Sequence, residues 1–279
     1  MAETSVQEDV RRFYDAVGWQ QISEGVYQNA QYEDLRPVSR DYIHKCHLRI
    51  NRYLGHAGKY LLDAGCGPLQ YPEYLTYSDG YKYRVCLDIS IVALKDAHER
   101  IKEHGLFVVA DIAHMPFRSD VFDDSVSLHT IHHLPSEEYR PAYFEMKRVL
   151  KPGASAVVVN GWSESAIMRL FRLPMRIMEK LFLKTGNDQK KIGSPENTQS
   201  RPAGTFVNKL TALNLRLLLG EDFPITIRVW RSVSVRFLRA MIQPELFGRF
   251  FLKVLYFKEE WFPGFFGIYG QYPLITFTK

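Results

Sequence analysis

Between Tyr60 and Asn160, short apolar runs alternate with helix-patterned stretches, and this rhythm limits the fold more than any other feature of the chain. The runs read KYLLDAG, YRVCLDI, LFVVADI, DDSVSLHT and ASAVVVN, each bounded by Gly, Pro or Asp. Strands alternating with helices predict βαβ units and a parallel sheet, an α/β fold of the doubly wound kind. Between the runs, Ser90 is placed to cap a helix that turns Leu94, Ala97 and Ile101 inward and stops at Gly105. The segment SEEYRPAYFEMKRVL carries acids early and Lys147 and Arg148 late, as a helix dipole prefers, and Pro141 predicts that its regular helix begins there. Lys151, Pro152 and Gly153 are expected to form the turn into the fifth strand.

The flanks have a different texture. Val6, Val10, Phe13 and Val17 recur at helical spacing, as do Ile43, Cys46, Ile50 and Leu54 behind a Ser39 cap. The chain therefore divides into an N-terminal helical cap (1–57), a ligand-binding core (58–162), a helical lid insertion (163–222) and a closing segment (223–279) that completes the sheet. Within the insertion, 167–184 is a basic amphipathic helix carrying Arg169, Arg172, Arg176, Lys180 and Lys184, with a break expected at Pro174. Such a helix suits peripheral contact with an anionic membrane or guidance of a lipophilic substrate, and the alternative is a lid with a solvated cationic side. The polar stretch 186–204 follows, then a helical pattern from Val207 to Leu219. Phe247, Phe250, Phe251, Trp261, Phe265 and Phe266 mark an aromatic-rich helical segment, read either as core or as pocket wall, and PLITFTK is the natural last strand.

At 279 residues, with 46% hydrophobic and 24% charged residues, the chain buries an ordinary core, which excludes a disordered tail or a coiled coil. Cys46, Cys66 and Cys86 form no CxxC pair, so neither a disulfide framework nor a four-thiolate zinc site is written here. The polar N-terminus and the lack of any bilayer-length apolar run lead to the expectation of a cytoplasmic protein. A net charge of +5 is compatible with nucleic acid, an anionic membrane or an anionic ligand without choosing among them.

Four successive strand ends carry polar groups. The first strand runs through Asp63 into Gly65 and Gly67, where glycine permits positive backbone angles and close approach of a ligand to free amides. The second ends in Asp88, an acid able to accept hydrogen bonds from the two hydroxyls of a ribose. The third ends in Asp111 with Ile112 as an apolar wall, and the fourth in His129. His129, His132 and His133 form a cluster in which one ring can act as general base.

In this order of signals, from Tyr60 to Trp162, the sequence resembles the class I S-adenosylmethionine-dependent methyltransferases, a Rossmann-like fold. The phrase FDDSVSLHTIHHLP followed by MKRVLKPG resembles their small-molecule branch. The resemblance implies a seven-stranded, mostly parallel sheet ordered 3-2-1-4-5-7-6. It also implies S-adenosylmethionine as cofactor, S-adenosylhomocysteine as product, a small-molecule acceptor and no metal. By the same resemblance, Asp63, Gly65 and Gly67 surround the methionine part, Asp88 and Ile89 the ribose, and Asp111 and Ile112 the adenine, while Tyr14 folds over the cofactor. His129 lies beside the sulfonium, His129 or His133 is the base, and Trp19, His132, Trp162 and Arg169 face the acceptor. Leu69 stands where many members have a third glycine, and Gln70 breaks the dinucleotide pattern GxGxxG. The NPPY-type motif of many base methylases is absent after the fourth run, so nucleic acid is not the expected partner. A nucleotide-dependent oxidoreductase and a membrane-surface module that keeps the nucleoside-binding fold are the two alternatives.

Overall fold

The apolar runs become parallel strands β1 (Gly58–Ala64), β2 (Tyr81–Asp88), β3 (Gly105–Val109), β4 (Phe122–Leu128) and β5 (Leu150–Val159), joined later by β6 (Thr226–Arg231) and β7 (Tyr272–Thr278). In this computed structural model, which describes residues 6–23, 26–28, 33–55, 57–183 and 205–279, the hydrogen-bonded order is β3-β2-β1-β4-β5-β7-β6. β7 runs antiparallel to both of its neighbours. The order and the mostly parallel sense of the sheet are those the resemblance implied. Lys184 and the stretch 186–204 lie outside the described residues.

Side-chain parity shows why the runs are apolar throughout. Leu62, Ala64, Ala156 and Val158 enter one cluster, whereas Leu61, Val157 and Val159, one residue out of step, enter another on the opposite face. Both faces of the sheet are covered, so both sets are mainly apolar, and Asp63 and Arg84 are buried as a pair.

Apart from the single turn Pro72–Leu75, the α-helices of the described residues are α1 (Val6–Phe13), α2 (Arg40–Leu48), α3 (Ile91–Ile101), α4 (Ser136–Val149), α5 (Ala166–Leu170), α6 (Arg172–Leu183), α7 (Ala212–Leu219), α8 (Val235–Met241), α9 (Gly248–Trp261) and α10 (Pro263–Tyr269). The Ser90 hydroxyl accepts the Ala93 N–H at 3.1 Å and caps α3 as expected. Four local expectations are corrected. α3 ends at Ile101 on Lys102 (φ 43°), and Gly105 opens β3 instead. α4 starts at Ser136 with Pro141 inside, since the missing amide frees only the Glu137 carbonyl, one turn from the helix end. Ser39 makes no cap and donates to Asp34 Oδ2 at 2.6 Å. Lys151–Gly153 belong to β5 as a bulge, because Phe122 pairs with Leu150 and Asp124 with Ser155.

Within 163–222, α7 buries Leu215 and Leu219 in the main core beside α4, whereas Met175 of α6 packs with Val38, Ile43, Phe237 and Leu252 in a separate cluster. The basic helix divides at Phe171, and Pro174 sits in the first turn of α6. The aromatic segment is not core at Phe247, Phe250, Phe251, Trp261 and Phe265, which are exposed, and none of the five borders the main cavity.

Candidate active site

Strand order reverses between β1 and β4, and the loops leaving those two strands open a crevice at their carboxyl ends. Gly65 has φ 77°, and a Cβ there would stand 2.2 Å from the Thr130 side chain. Thr130 Oγ1 donates to the Gly65 carbonyl at 3.1 Å, which locks the loop after β1 to the loop after β4. Gly67 has φ 55°, and its Cβ position is 3.1 Å from the Trp19 ring. Leu69, at the place of the third glycine, also adopts positive φ (53°) and is buried, so the loop keeps its shape with a leucine held by packing.

Asp88 accepts the Gly67 N–H and the Ser90 N–H, both at 2.9 Å, one on each oxygen. Removal from water pushes its carboxyl up to about 6, against the pull of those amides. Asp111 accepts the Ala113 N–H at 2.9 Å and the Gln7 side-chain amide at 2.8 Å. Ile89 and Ile112 line the same space. Asp63 borders the same space, and its Oδ2 takes both Arg84 Nε (3.0 Å) and the second guanidinium nitrogen of Arg84. That buried pair braces β1 against β2, and only Oδ1 remains for a ligand among the described contacts.

The crevice widens into a cavity of about 430 Å³ roofed by the N-terminal segment. Beyond α1, residues Tyr14–Gly18 form one wide π turn. Gly18 makes room for the Tyr14 ring, which a Cβ would meet at 2.4 Å, and Tyr14 stacks on Trp19 with centroids 4.8 Å apart. The Tyr14 hydroxyl lies 2.8 Å from His133 Nε2, and His133 Nδ1 lies 2.8 Å from the Phe206 carbonyl. A carbonyl only accepts, so Nδ1 carries the proton and Nε2 accepts from Tyr14. His132 Nδ1 faces Asn160 Oδ1 at 3.3 Å. His129, at φ 56°, turns its ring edge to Trp230 and Tyr272. Desolvation pushes His129 down to about 3 and His133 to about 4, and lowers His132 as well, so all three are neutral near pH 7. Deeper in the cavity Glu33 pairs with Arg231. Burial alone would raise Glu33, but Arg231 and His47 overcome it and hold the carboxyl at about 2.

Tyr14, Trp19, Asp63, Gly65, Gly67, Asp88, Ile89, Asp111, Ile112, His129, His132 and His133 thus line one cavity. Trp162 and Arg169 do not. Trp162 is buried in the main core with its indole N–H donating to the Gly267 carbonyl at 2.7 Å, and it is Gly161 that borders the cavity. Arg169 is exposed, 3.8 Å from Glu164. Gln7, Glu33, Thr130, Lys209 and Arg231 also line the cavity and carry no sequence motif. The cavity fits an adenosyl thioether: it has a glycine cradle, an acid at each of two strand ends, and buried polar atoms without partners at Trp19 Nε1, Gln70 Oε1 and Thr205 Oγ1. Among the described residues no group of three or more His, Cys, Asp or Glu is arranged for a metal.

A family model described as a methyltransferase domain matches residues 62–158. The tRNA (carboxymethyluridine(34)-5-O)-methyltransferase of Arabidopsis thaliana is 33% identical over 108 residues, 38% of this chain and 25% of that protein. Methyltransferase GfsG of Streptomyces halstedii is 29% identical over 109 residues, 37% of this chain and 38% of its own length. The chain therefore spans well under half of either relative. Among solved structures, geranyl diphosphate C-methyltransferase from Streptomyces coelicolor superposes with a TM-score of 0.55 at 16% identity, covering 99% of this chain and 98% of that one. Phosphoethanolamine N-methyltransferase 1 of Haemonchus contortus gives 0.58 at 13% identity, covering 99% and 50%. With the glycine loop, the acids at the strand ends and the strand order already in place, the match over 62–158 identifies that segment as a methyltransferase domain, set in the fold these solved methyltransferases share.

Proposed function

We propose that this protein moves the S-methyl group of S-adenosylmethionine to a small-molecule acceptor by in-line displacement, releasing S-adenosylhomocysteine. The observation that carries the reading is the convergence of Gly65, Gly67, Asp88 and Asp111 on one side of a roofed cavity with three neutral histidines on the other. When bound, the cofactor supplies a methyl group already activated by a cationic sulfur, so the protein has to align the partners and exclude water. In this reading Gly65 and Gly67 receive the methionine part, Asp88 and Ile89 the ribose, and Asp111 and Ile112 the adenine. Tyr14 and Trp19 close over them, so Trp19 serves the cofactor side of the cavity through its contact with Gly67. His133 has its Nε2 lone pair engaged by Tyr14 and is a positioning residue. For a hydroxyl acceptor the proton passes to His132, whose Nε2 is left unengaged once Nδ1–H is held by Asn160, or to His129.

The roofed, tyrosine-lined space favours a small acceptor over the tRNA for which the Arabidopsis relative is named. The oxidoreductase alternative has no support from the domain match. Methyl-labelled cofactor incubated with the protein and either small-molecule extract or total RNA separates the acceptors: label in RNA would sink the small-acceptor reading and leave the cofactor site standing. Three free, buried cysteines suit a reducing compartment, and the reading includes a cytoplasmic location. It also includes contact of 167–184 with anionic lipid, supported by exposed Leu170, Leu173 and Ile177 beside exposed Arg172, Arg176 and Lys180. No helix of the described residues is long and apolar enough to cross a membrane.

A further inference from the structure

We propose that the acceptor is a small organic anion, a carboxylate or a phosphate ester, and that Lys209 is the residue that binds its charge, with Arg231 at the far wall. The proposal rests on the methyltransferase reading and names the substrate class for it. Lys209 lies half-buried in the cavity wall and reaches the end of β5 because residue 161 is glycine: a Cβ there would stand 3.2 Å from Lys209 Cε and 3.3 Å from Nζ. Its ammonium has no carboxylate or carbonyl partner among the described residues. A cation withdrawn from water is costly unless an opposite charge offsets the loss, and no described residue supplies one. Burial lowers the Lys209 pKa with no acid to hold it up, and the ammonium in turn helps to keep His129, His132 and His133 neutral.

The other charges of the cavity are already matched. Asp63 is held by Arg84, Asp88 by two backbone amides, and Asp111 by Ala113 N–H and Gln7. Glu33 is taken by Arg231. Arg231 is 2% exposed, and its Nε–H still lacks a partner. Thr205 Oγ1, also unpartnered, borders the same space as His132 and Lys209. Two cations against one acid leave a single positive charge in this half of the cavity, with two further donors open. Tyr71, Tyr74 and Tyr272 supply aromatic wall for the organic part. A neutral or cationic acceptor would leave the lysine unpaired, whereas an anion would receive charge-assisted hydrogen bonds from it.

The full chain, saturated with S-adenosylhomocysteine, is titrated calorimetrically with benzoate, with its uncharged isostere benzamide and with inorganic phosphate. The expected result is that benzoate or phosphate binds, with benzamide at least about tenfold weaker than benzoate where benzoate is the ligand. Whichever anion binds identifies the headgroup. Lys209→Met should weaken anion binding by about tenfold or more, Lys209→Arg should retain most of it, and both should bind S-adenosylhomocysteine within about twofold of the parent. Failure of both anions to bind, equal binding of benzamide and benzoate, or full anion binding to Lys209→Met overturns the proposal. Loss of S-adenosylhomocysteine binding in Lys209→Met also overturns it, because the lysine would then serve the cofactor's own carboxylate while the methyltransferase reading survives. If the parent protein itself binds no S-adenosylhomocysteine, the cofactor reading fails and the proposal with it.

Discussion

Asp88 shows how one side chain can tie ligand affinity to pH. Its carboxyl ionises near 6 because loss of water outweighs the two amides that favour the charge. In the proposed ribose role of Asp88, hydroxyls donating to the ionised form would lower that pKa further, and binding below about pH 6 would then have to expel a proton. Affinity for S-adenosylhomocysteine is therefore expected to be flat above neutrality and to fall, by up to about tenfold per pH unit, as pH drops through 6. Asp88→Asn should bind about tenfold more weakly at pH 8 and lose the acid limb, which calorimetry across pH 5 to 8 would reveal. A flat parent profile would take Asp88 out of the ribose role. Gly65 is the complementary case, where the constraint is space. Gly65→Ala puts a methyl into Thr130 at 2.2 Å on a backbone at φ 77°, so a stability loss of roughly 1–3 kcal/mol and weaker cofactor binding are expected. A thermal melt indistinguishable from the parent would contradict the close-approach argument.

Among the elements, the N-terminal segment is held over the cavity by buried Val10 and Phe13 and by three polar ties: Gln7 to Asp111, Tyr14 to His133 and Asp15 to Ser90. Each tie has a net worth of about 1 kcal/mol, so the roof should open far more readily than the sheet beneath it. Tyr14→Phe keeps the ring on Trp19 and deletes the bond to His133. The expected outcome is faster hydrogen exchange over residues 6–20 and dissociation of S-adenosylhomocysteine accelerated about fivefold, with exchange in β1 and β4 unchanged. Unaltered exchange in the roof would show that its apolar contacts through Val10 and Phe13 hold it alone. The same elements explain what was readable beforehand. Strands covered on both faces are mainly apolar, and Ser90 stands directly before the helix it caps, so β1–β5 and the start of α3 were legible, whereas Ser39 stands in the same place before α2 and bonds Asp34 instead. Trp162 was misplaced because it lies one residue beyond Gly161, on the other side of the chain as it leaves β5. Glu33 and Arg231 stand 198 positions apart in sequence, and nothing near either residue announces the pair. Lys209 lies in a loop whose position depends on tertiary packing, with the Asn208 N–H donating to the His132 carbonyl at 2.7 Å. Strand ends therefore disclosed the part of the cavity lined by Gly65, Gly67, Asp88 and Asp111, while the part lined by Glu33, Lys209 and Arg231 is assembled from distant loops.

At the scale of the whole molecule, apolar surface is distributed in an unusual way. In α9 the buried acid Glu259 faces inward, 2.9 Å from Arg49 and hydrogen-bonded by Tyr42, while Phe250 (62% exposed) and Trp261 (67% exposed) face water. α6 repeats the arrangement, with Met175 buried and Leu173 and Ile177 outward among Arg172, Arg176 and Lys180. Exposed aromatic and aliphatic side chains bordered by cations suit the headgroup region of an anionic bilayer, where each cation contributes about 1 kcal/mol. Three cations on α6 then contribute about 3 kcal/mol, or roughly a hundredfold in partitioning. The protein is expected to float with vesicles containing phosphatidylserine, to stay behind with neutral phosphatidylcholine, and to be released by about 0.5 M salt, which shortens the screening length. Replacing Arg172, Arg176 and Lys180 together with Gln should abolish flotation while leaving S-adenosylhomocysteine binding intact, because none of the three lines the cavity. Flotation that persists in this variant would move the lipid contact from α6 to the aromatic face of α9. If the parent protein stays behind with both kinds of vesicle, the membrane contact is excluded and those faces must be covered by something other than lipid.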